Sequence, residues 1–363
     1  MRILTLSRNK CGLASIQRPA TVSQTGTTPR WQTEELVRMS HQFVDGSRTI
    51  VITGGSSGIG FAAATAILRS ENGPWHVVLP VRDAVRGQVA VETLSAGAAA
   101  GNTVEAMAMD LSALASVRTF ATELTARVES GRIPRVHALV CNAGVQMGTR
   151  LTLTADGFET AFGVNHLGHF VLVNELLPVL RAPARVVVVS SGTHDPAALK
   201  VGPAPAWSNA EALAHGILAP SAAGDNALIA GQRRYSTSKL ANIYFTYALA
   251  RRLPDGVTAN AFDPGMVLGT SLGRSLPAPV RFVSRHVLPH LTWLIRRAVT
   301  PHIYSASKSG SALAWLATAP ELAGTTGRYF AGRTAIRSSD ESYDTVRADD
   351  LWNDSLSLTG VRA

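Results

Sequence analysis

The chain has 363 residues, 46% hydrophobic and 16% charged, with a formal charge of +9 at pH 7; this is a globular composition, long enough to bury a large core and incompatible with disorder throughout. The basic residues are dispersed and no basic run is interleaved with aromatics, which argues against a nucleic-acid partner despite the charge. Cys11 and Cys141 are the only cysteines, too few for a disulfide framework or a CxxC metal site, and no apolar run reaches the roughly 18 to 20 residues of a membrane-spanning helix.

Residues 1–33 carry five basic side chains, many Ser and Thr and no acid, with no hydrophobic period. The segment reads as a disordered arm, extended here to residue 47, and Met39 is a candidate later start. A transit peptide has a similar composition, so the expected location is the cytoplasm, with organelle import through the arm as the alternative.

From Arg48 onward, short apolar runs alternate with amphipathic stretches: "RTIVIT", "WHVVLP", "TVEAMAM", "VHALVC", "ARVVVVS", "VTANAF" and "GRYFAG". Six of the seven are separated from the next by a segment long enough for a crossover helix. That pattern predicts an α/β fold, a Rossmann-like doubly wound parallel sheet of about seven strands in a single domain over 48–335, with a helical tail at 336–363. Such sheets bind ligands at the carboxyl ends of their strands.

The first strand ends in "TGGSSGIG", Thr53 to Gly60, running into a helix. Glycines there let the backbone approach a pyrophosphate, and the helix N-terminus offers unpaired N–H groups to the anion; an ordinary tight turn is the plain alternative. Further on, "YSTSK" places Tyr235 and Lys239 four residues apart, on one helix face. An ammonium beside a phenol stabilises phenolate and lowers the tyrosine pKa, making it a usable proton donor or acceptor. The pair alone is a weak motif.

The other fragments stand in a definite order. "MDLS" follows the third strand with Asp110 and Leu111, and "CNAG" ends the fourth at Cys141 to Gly144. "VNHLGHF" carries Asn165, "VVVVSSG" carries Ser191, and "DPG" carries Pro264 and Gly265. Together with the TGxxxGxG spacing, this ordered set resembles the short-chain dehydrogenases/reductases over residues 48–335, with Cys141 standing where the family has the first Asn of NNAG. "CNAG", "NHLGHF" and the ending "SSDESYDTVRADDLWNDSLSLTG" are most similar to the branch of retinol dehydrogenases and light-dependent protochlorophyllide reductases.

The resemblance implies a hydride transfer between a nicotinamide cofactor and a carbonyl/alcohol pair. In it Tyr235 gives or takes the proton, Lys239 lowers the Tyr235 pKa and bonds the nicotinamide ribose, Ser191 polarises the carbonyl and Asn165 holds a relay water. Ser190 is the competitor of Ser191; adjacent residues at a strand end point to opposite faces. The implied cofactor residues are Thr53, Gly54, Ser56, Ser57, Gly58, Ile59, Gly60, Arg82, Asp110, Leu111, Asn142, Ala143, Gly144, Tyr235, Lys239, Pro264 and Gly265. A carbon–carbon double-bond reductase and a non-catalytic NADPH-binding sensor are the alternatives. No metal is expected: His166 and His169 form HxxH without a third ligand and read as packing or capping residues, and Cys141 reads as a small core residue.

The second strand ends "LPVRD", so Pro80 or Val81 stands where NAD-dependent relatives carry an acid, and Arg82 follows. A guanidinium there suits the 2′-phosphate of NADP(H). Asp83 is the competing observation, lying about twenty residues past the glycines, where an NAD-binding acid is looked for; it reads instead as a helix N-cap.

Ser191 and Tyr235 are 44 positions apart, much farther than in compact members of the family, so an insertion at 192–232 must border the substrate cleft. A second segment, 266–300, mixes Val280, Phe282, Val283, Val287, Leu288, Leu291, Trp293, Leu294 and Ile295 with arginines and histidines. It reads as a hydrophobic lid or a peripheral membrane contact, and predicts a bulky, largely apolar substrate. Family members are homodimers or monomers, and either is compatible with the sequence.

Overall fold

In a computed structural model of the protein, residues 43–146, 148–197, 202–267 and 303–362 are described. The expected arm at 1–47 lies outside them except for residues 43–47, and the expected lid at 266–300 except for Met266 and Val267.

All seven expected strands form. They are β1 (Arg48–Ile52), β2 (Trp75–Val81), β3 (Thr103–Ala108), β4 (Val136–Cys141), β5 (Leu180–Val189), β6 (Val257–Asp263) and, after the short parallel pair β7 (Met266–Val267) and β8 (Ile303–Tyr304), β9 (Tyr329–Ala331). An eighth strand, β10 (Thr334–Ile336), joins the edge antiparallel to β9. Strands β2, β4 and β6 are buried along their whole length; β2 and β4 accordingly read as nearly continuous apolar runs, whereas β6 carries Thr258 and Asn260 between its apolar residues.

The sheet order is β10-β9-β6-β5-β4-β1-β2-β3. The chain winds outward from β1 to β3, then returns to lay β4 against the other side of β1. That reversal opens a crevice at the carboxyl ends of β1 and β4, where such sheets hold ligands.

One face is covered by α1 (Gly58–Leu68), α2 (Ala84–Ser95) and α6 (Ala306–Thr318), packed on Ile50, Val77, Leu79 and Val187. Helices α1 and α6 touch so closely that a Cβ on Gly310 would lie 2.4 Å from the Ala62 Cβ. The other face carries α3 (Leu114–Glu129), α4 (Gly168–Leu176) and α5 (Ala227–Ala250), packed on Leu139 and Val186. The expected C-terminal tail contains α7 (Thr345–Thr359), whose Trp352 stacks on Phe245 at 6.0 Å and meets Phe170 edge-on at 5.1 Å. It is thereby part of this core.

Two local features position the site. A π-helical turn, Gly163–Leu167, interrupts the helix that continues as α4 and turns Asn165 inward; such turns cluster at functional sites. Helix α5 is buried from Tyr235 through Thr246, so its catalytic-motif residues are held on both sides. Among the described residues no helix is long and apolar enough to cross a membrane, and no cluster of His, Cys, Asp or Glu could hold a metal ion.

Candidate active site

The turn after β1 is built around two left-handed glycines, Gly54 at φ +66° and Gly58 at φ +60°. Gly60 is needed for a different reason: a Cβ there would lie 2.5 Å from Asn142 Nδ2 and 2.6 Å from Gly54 O. Ser57, the N-cap of α1, makes no side-chain capping bond, so the first N–H groups of that helix keep their capacity for an anion.

Thr53 ties this turn to the end of β4. Its Oγ1 accepts the N–H groups of Asn142 and Ala143, both at 2.9 Å, and lies 2.9 Å from His169 Nε2. With both lone pairs of Thr53 used, its hydroxyl proton goes to His169 Nε2. His169 Nδ1–H then donates to the Asn165 carbonyl at 3.1 Å. The Asn165 amide is itself committed, accepting Val145 N–H at 2.8 Å and donating to Val145 O and Ser238 Oγ, both at 3.0 Å. Burial pushes His169 down to about 4 and His166, bonded to Ser355 at 2.8 Å, down to about 3. Both are neutral packing residues, as HxxH was read.

Tyr235 and Lys239 lie on α5, 8% and 3% exposed. The Ser191 side chain stands close enough to Tyr235 to act on its phenol, lowering its pKa. Ser190, by contrast, spends its hydroxyl on the Lys239 carbonyl at 2.8 Å, so the two serines are clearly separated. Lys239 Nζ donates to Val189 O at 3.0 Å and stands 5.6 Å from the centre of the Tyr235 ring. A Cβ on Gly144 would lie 3.4 Å from both Lys239 Nζ and Asn165 Oδ1, so these two groups converge on the end of β4.

Burial dominates at Tyr235 and pushes it up to about 12, with the Ser191 side chain lowering it and Asp263 raising it further. Lys239 is pushed down to about 8, again by burial, with Asp263 opposing. Near neutral pH the tyrosine is therefore protonated and the lysine mostly charged. Cys141 is buried and its thiol pushed well up, an inert core residue.

A cleft of about 290 Å³ runs along the strand ends. It is lined by Thr53, Gly54, Ser56, Ser57, Gly58, Ile59, Arg82, Asp110, Leu111, Asn142, Ala143, Gly144, Tyr235, Lys239 and Pro264. Gly60 and Asn165 are buried behind its wall, and neither Ser191 nor Gly265 lines it. A second cavity of about 380 Å³ shares Tyr235 and is lined by Gln146, Ser236, Met266 and, from the 192–232 insertion, Thr193, Pro196, Gly202, Pro203 and Gln232. At the far end Asp83 caps α2, accepting Arg86 N–H at 3.1 Å and pairing with the Arg86 guanidinium at 3.4 Å.

A family model described as short chain dehydrogenase matches residues 48–200, and one described as AcuH dehydrogenase domain matches 272–363. Retinol dehydrogenase 14 of Mus musculus is 36% identical over 326 residues, covering 86% of each chain. The chain belongs to the short-chain dehydrogenase/reductase family. It is an oxidoreductase of that family, whose members bind nicotinamide cofactors, and its relatives include retinol dehydrogenases. Protochlorophyllide reductase of Chlamydomonas reinhardtii is 34% identical over 87% of this chain and 79% of its own length. The WW domain-containing oxidoreductase of Gallus gallus is 36% identical over 84% of this chain, a match spanning 66% of that protein. A crystal structure of an uncharacterized protein from Mycobacterium Paratuberculosis has a TM-score of 0.59 at 29% identity, over 87% of this chain and 94% of that one.

Against this family background, sequence reasoning missed Arg86 and His194, and the bridging role of Thr53 and His169. Arg86 lines the cleft beside Arg82, and its spacing from the N-cap Asp83 was the available signal. His169 and Thr53 form the network described above. His194 donates from Nδ1 to Ser191 O at 2.6 Å and accepts Ser339 N–H on Nε2 at 3.1 Å, clamping the serine loop to the C-terminal segment; nothing in its local sequence announces this.

Proposed function

We propose that this chain is an NADP(H)-dependent reductase or dehydrogenase that interconverts a carbonyl and an alcohol on a bulky, largely apolar substrate. The observation that carries the reading is the position of Tyr235, which lines both the cleft along the glycine turn and the cavity bordered by the insertion.

The cleft fits a dinucleotide. Left-handed glycines, a Gly60 position with no room for a side chain and an uncapped helix N-terminus suit a pyrophosphate. Thr53 to Gly60 would hold it, Asp110 and Leu111 would lie at the adenine, and Asn142 to Gly144 with Pro264 and Gly265 would line the nicotinamide half. Arg82 and Arg86 would pair with a 2′-phosphate. Asp83 is engaged in capping α2, which favours NADP(H) over NAD(H). When bound, the cofactor supplies or accepts the hydride.

The chain's own residues supply the rest. Tyr235, protonated near neutral pH, donates its proton to the substrate oxygen, and Ser191 hydrogen-bonds that oxygen as charge develops. The Lys239 charge stands nearby to stabilise the tyrosinate left behind, and Asn165 fixes the Val145 end of the wall. The presence of Ser191 beside Tyr235 favours a carbonyl over a carbon–carbon double bond.

The test is NADPH oxidation with a panel of aldehydes and ketones. Tyr235→Phe should bind NADPH normally and lose turnover by about 100-fold or more. Turnover that survives in Tyr235→Phe, or binding without turnover of any carbonyl, overturns the reading; the second outcome is that of a non-catalytic sensor. The same reading takes the protein as cytoplasmic and allows a homodimer, to be checked by cell fractionation and by light scattering at two concentrations.

A further inference from the structure

The "DPG" turn contains a buried acid that the proposed reaction does not use. Asp263 ends β6 and is 4% exposed. Its Oδ1 accepts the N–H of Gly265 at 2.8 Å, and its Oδ2 lies 3.2 Å from where a Gly192 Cβ would stand, beneath the Ser191–Gly192 step. β5 and β6 run parallel with Val189 opposite Phe262. Asp263 is therefore the next residue along from the partner of Val189, whose carbonyl holds Lys239 Nζ at 3.0 Å.

Holding the turn explains only half of this side chain. An asparagine would accept from Gly265 equally well, without burying a charge. A buried carboxylate is costly unless a cation faces it. The groups around it are Tyr235 and Lys239 from α5, His194 and Asp195 from the loop after β5, and Tyr329 from β9. His194 is not the cation: one ring nitrogen donates to Ser191 O and the other accepts from Ser339 N–H, so the ring is neutral. Asp195 carries the same sign as Asp263, and Tyr329 is a phenol. Lys239 remains.

We propose that Asp263 is a positioning residue of the same site, the counter-charge of Lys239, and that its carboxylate holds the resting site in its proton-donating form, with Lys239 charged and Tyr235 protonated. This rests on the carbonyl/alcohol reading above. The electrostatics agree in sign, since Asp263 raises both Lys239 and Tyr235 against the pull of their surroundings. A charged lysine and a protonated tyrosine form the state that donates. Alcohol oxidation needs the tyrosine ionised, which the same carboxylate opposes.

Asp263→Asn keeps the acceptor for Gly265 and removes only the charge. The measurement is kcat/KM for carbonyl reduction and for oxidation of the matching alcohol from pH 6 to pH 10, with cofactor affinity by fluorescence titration. In Asp263→Asn, Lys239 loses its proton and Tyr235 ionises at lower pH than in the wild type. Both the alkaline limb of reduction and the acid limb of oxidation should therefore move toward acid. Each limb should move by roughly one pH unit, with cofactor affinity unchanged and the reduction-to-oxidation ratio at any one pH left at the value the equilibrium constant fixes. Asp263→Glu, which retains the charge, should keep wild-type limbs even if its kcat falls. Superimposable limbs for Asp263→Asn and wild type, or an acidward shift in Asp263→Glu, overturn the proposal. Tyr235→Phe separates this from the underlying reading. If that variant is inactive and the limbs still superimpose, only the role of Asp263 fails; if it retains turnover, both fail.

Discussion

Thr53 Oγ1 and His169 Nε2, 116 residues apart in sequence, lie 2.9 Å apart between the glycine turn and the π-helical turn. Through this contact the end of β1 and the "CNAG" segment share one hydrogen-bonded unit with Asn165. His169 is the only side chain that bridges Thr53 and the Asn165 carbonyl among the bonds described. His169→Phe preserves the ring's bulk and removes both bonds, leaving the Thr53 hydroxyl only the Val140 carbonyl, 3.3 Å away, at a cost of about 0.5–1.5 kcal/mol for each bond lost. We expect lower thermal stability and a raised KM for NADPH. The variant that should recover the cofactor KM is His169→Gln, whose amide offers both a donor and an acceptor. If His169→Phe matches the wild type in both quantities, the bridge has no role.

Arg82 and Arg86 both line the outer end of the cleft, and both are exposed. A charge-assisted bond to a 2′-phosphate is worth about 1.5–3 kcal/mol, so Arg82→Ala and Arg86→Ala should each raise KM for NADPH by roughly 10-fold or more. KM for NADH should barely change. Equal efficiency with the two cofactors in the wild type, or an unchanged preference in both variants, counts against the assignment.

How much of this was legible beforehand follows from what each residue touches. Strands β1, β2, β4 and β9 and the second half of β5 declared themselves because their side chains are buried on both faces and so mostly apolar; β3, only partly buried, and β6, which carries Thr258 and Asn260, were legible from the Val and Ala residues they also hold. The edge strand β10, all three residues exposed, has no such requirement, and "TAI" gave no signal. The Tyr235–Lys239 spacing was readable as one helix face, but the balance between burial and charge was not. It depends on Val189, Asp263 and Ser191 arriving from three other segments. Arg86 was hidden by the cap that precedes it, and the π-helical turn by a sequence indistinguishable from an ordinary helix. The proposed lid residues such as Phe282 and Trp293 lie outside the described residues.

A pH dependence of stability is expected at the outer edge of the sheet, where Glu105 of β3 accepts from His76 Nε2 at 2.9 Å and from Arg127 Nη2 at 2.8 Å. Burial alone would raise this carboxyl, but the hydrogen bonds from His76 and Arg127 outweigh it and leave it below its ordinary value of 4.5. A folded-state value below the unfolded one means that stabilisation is complete above pH 4.5 and is lost as pH falls through the lower folded value. Chemical denaturation at pH 7 should show Glu105→Gln less stable than the wild type, and the gap should close in increasingly acid buffer. A gap of constant size across that range would show that the carboxylate charge contributes nothing.

Gly60 offers the sharpest separation of shape from chemistry. Its backbone is that of an ordinary helix residue in α1, so its conformation alone would accept alanine, and in an exposed helix that change would be stabilising. Here the added methyl would lie 2.5 Å from Asn142 Nδ2 and 2.6 Å from Gly54 O. The amide cannot simply swing aside, because Asn142 Nδ2 donates to Thr53 O at 2.8 Å. The Gly54 carbonyl belongs to a turn held by its own left-handed φ of +66°. Relief must therefore come from moving α1 away from "CNAG", which widens the cradle that the pyrophosphate would occupy. We expect Gly60→Ala to lose about 1–3 kcal/mol of stability, as overpacking usually costs, and to bind NADPH at least 10-fold more weakly. Ser57→Ala, whose side chain makes no cap bond, should leave stability nearly unchanged. Calorimetry and NADPH fluorescence titration on the two variants check this, and Gly60→Ala binding as tightly as wild type would show that the close approach of α1 to Asn142 is not what shapes the cleft.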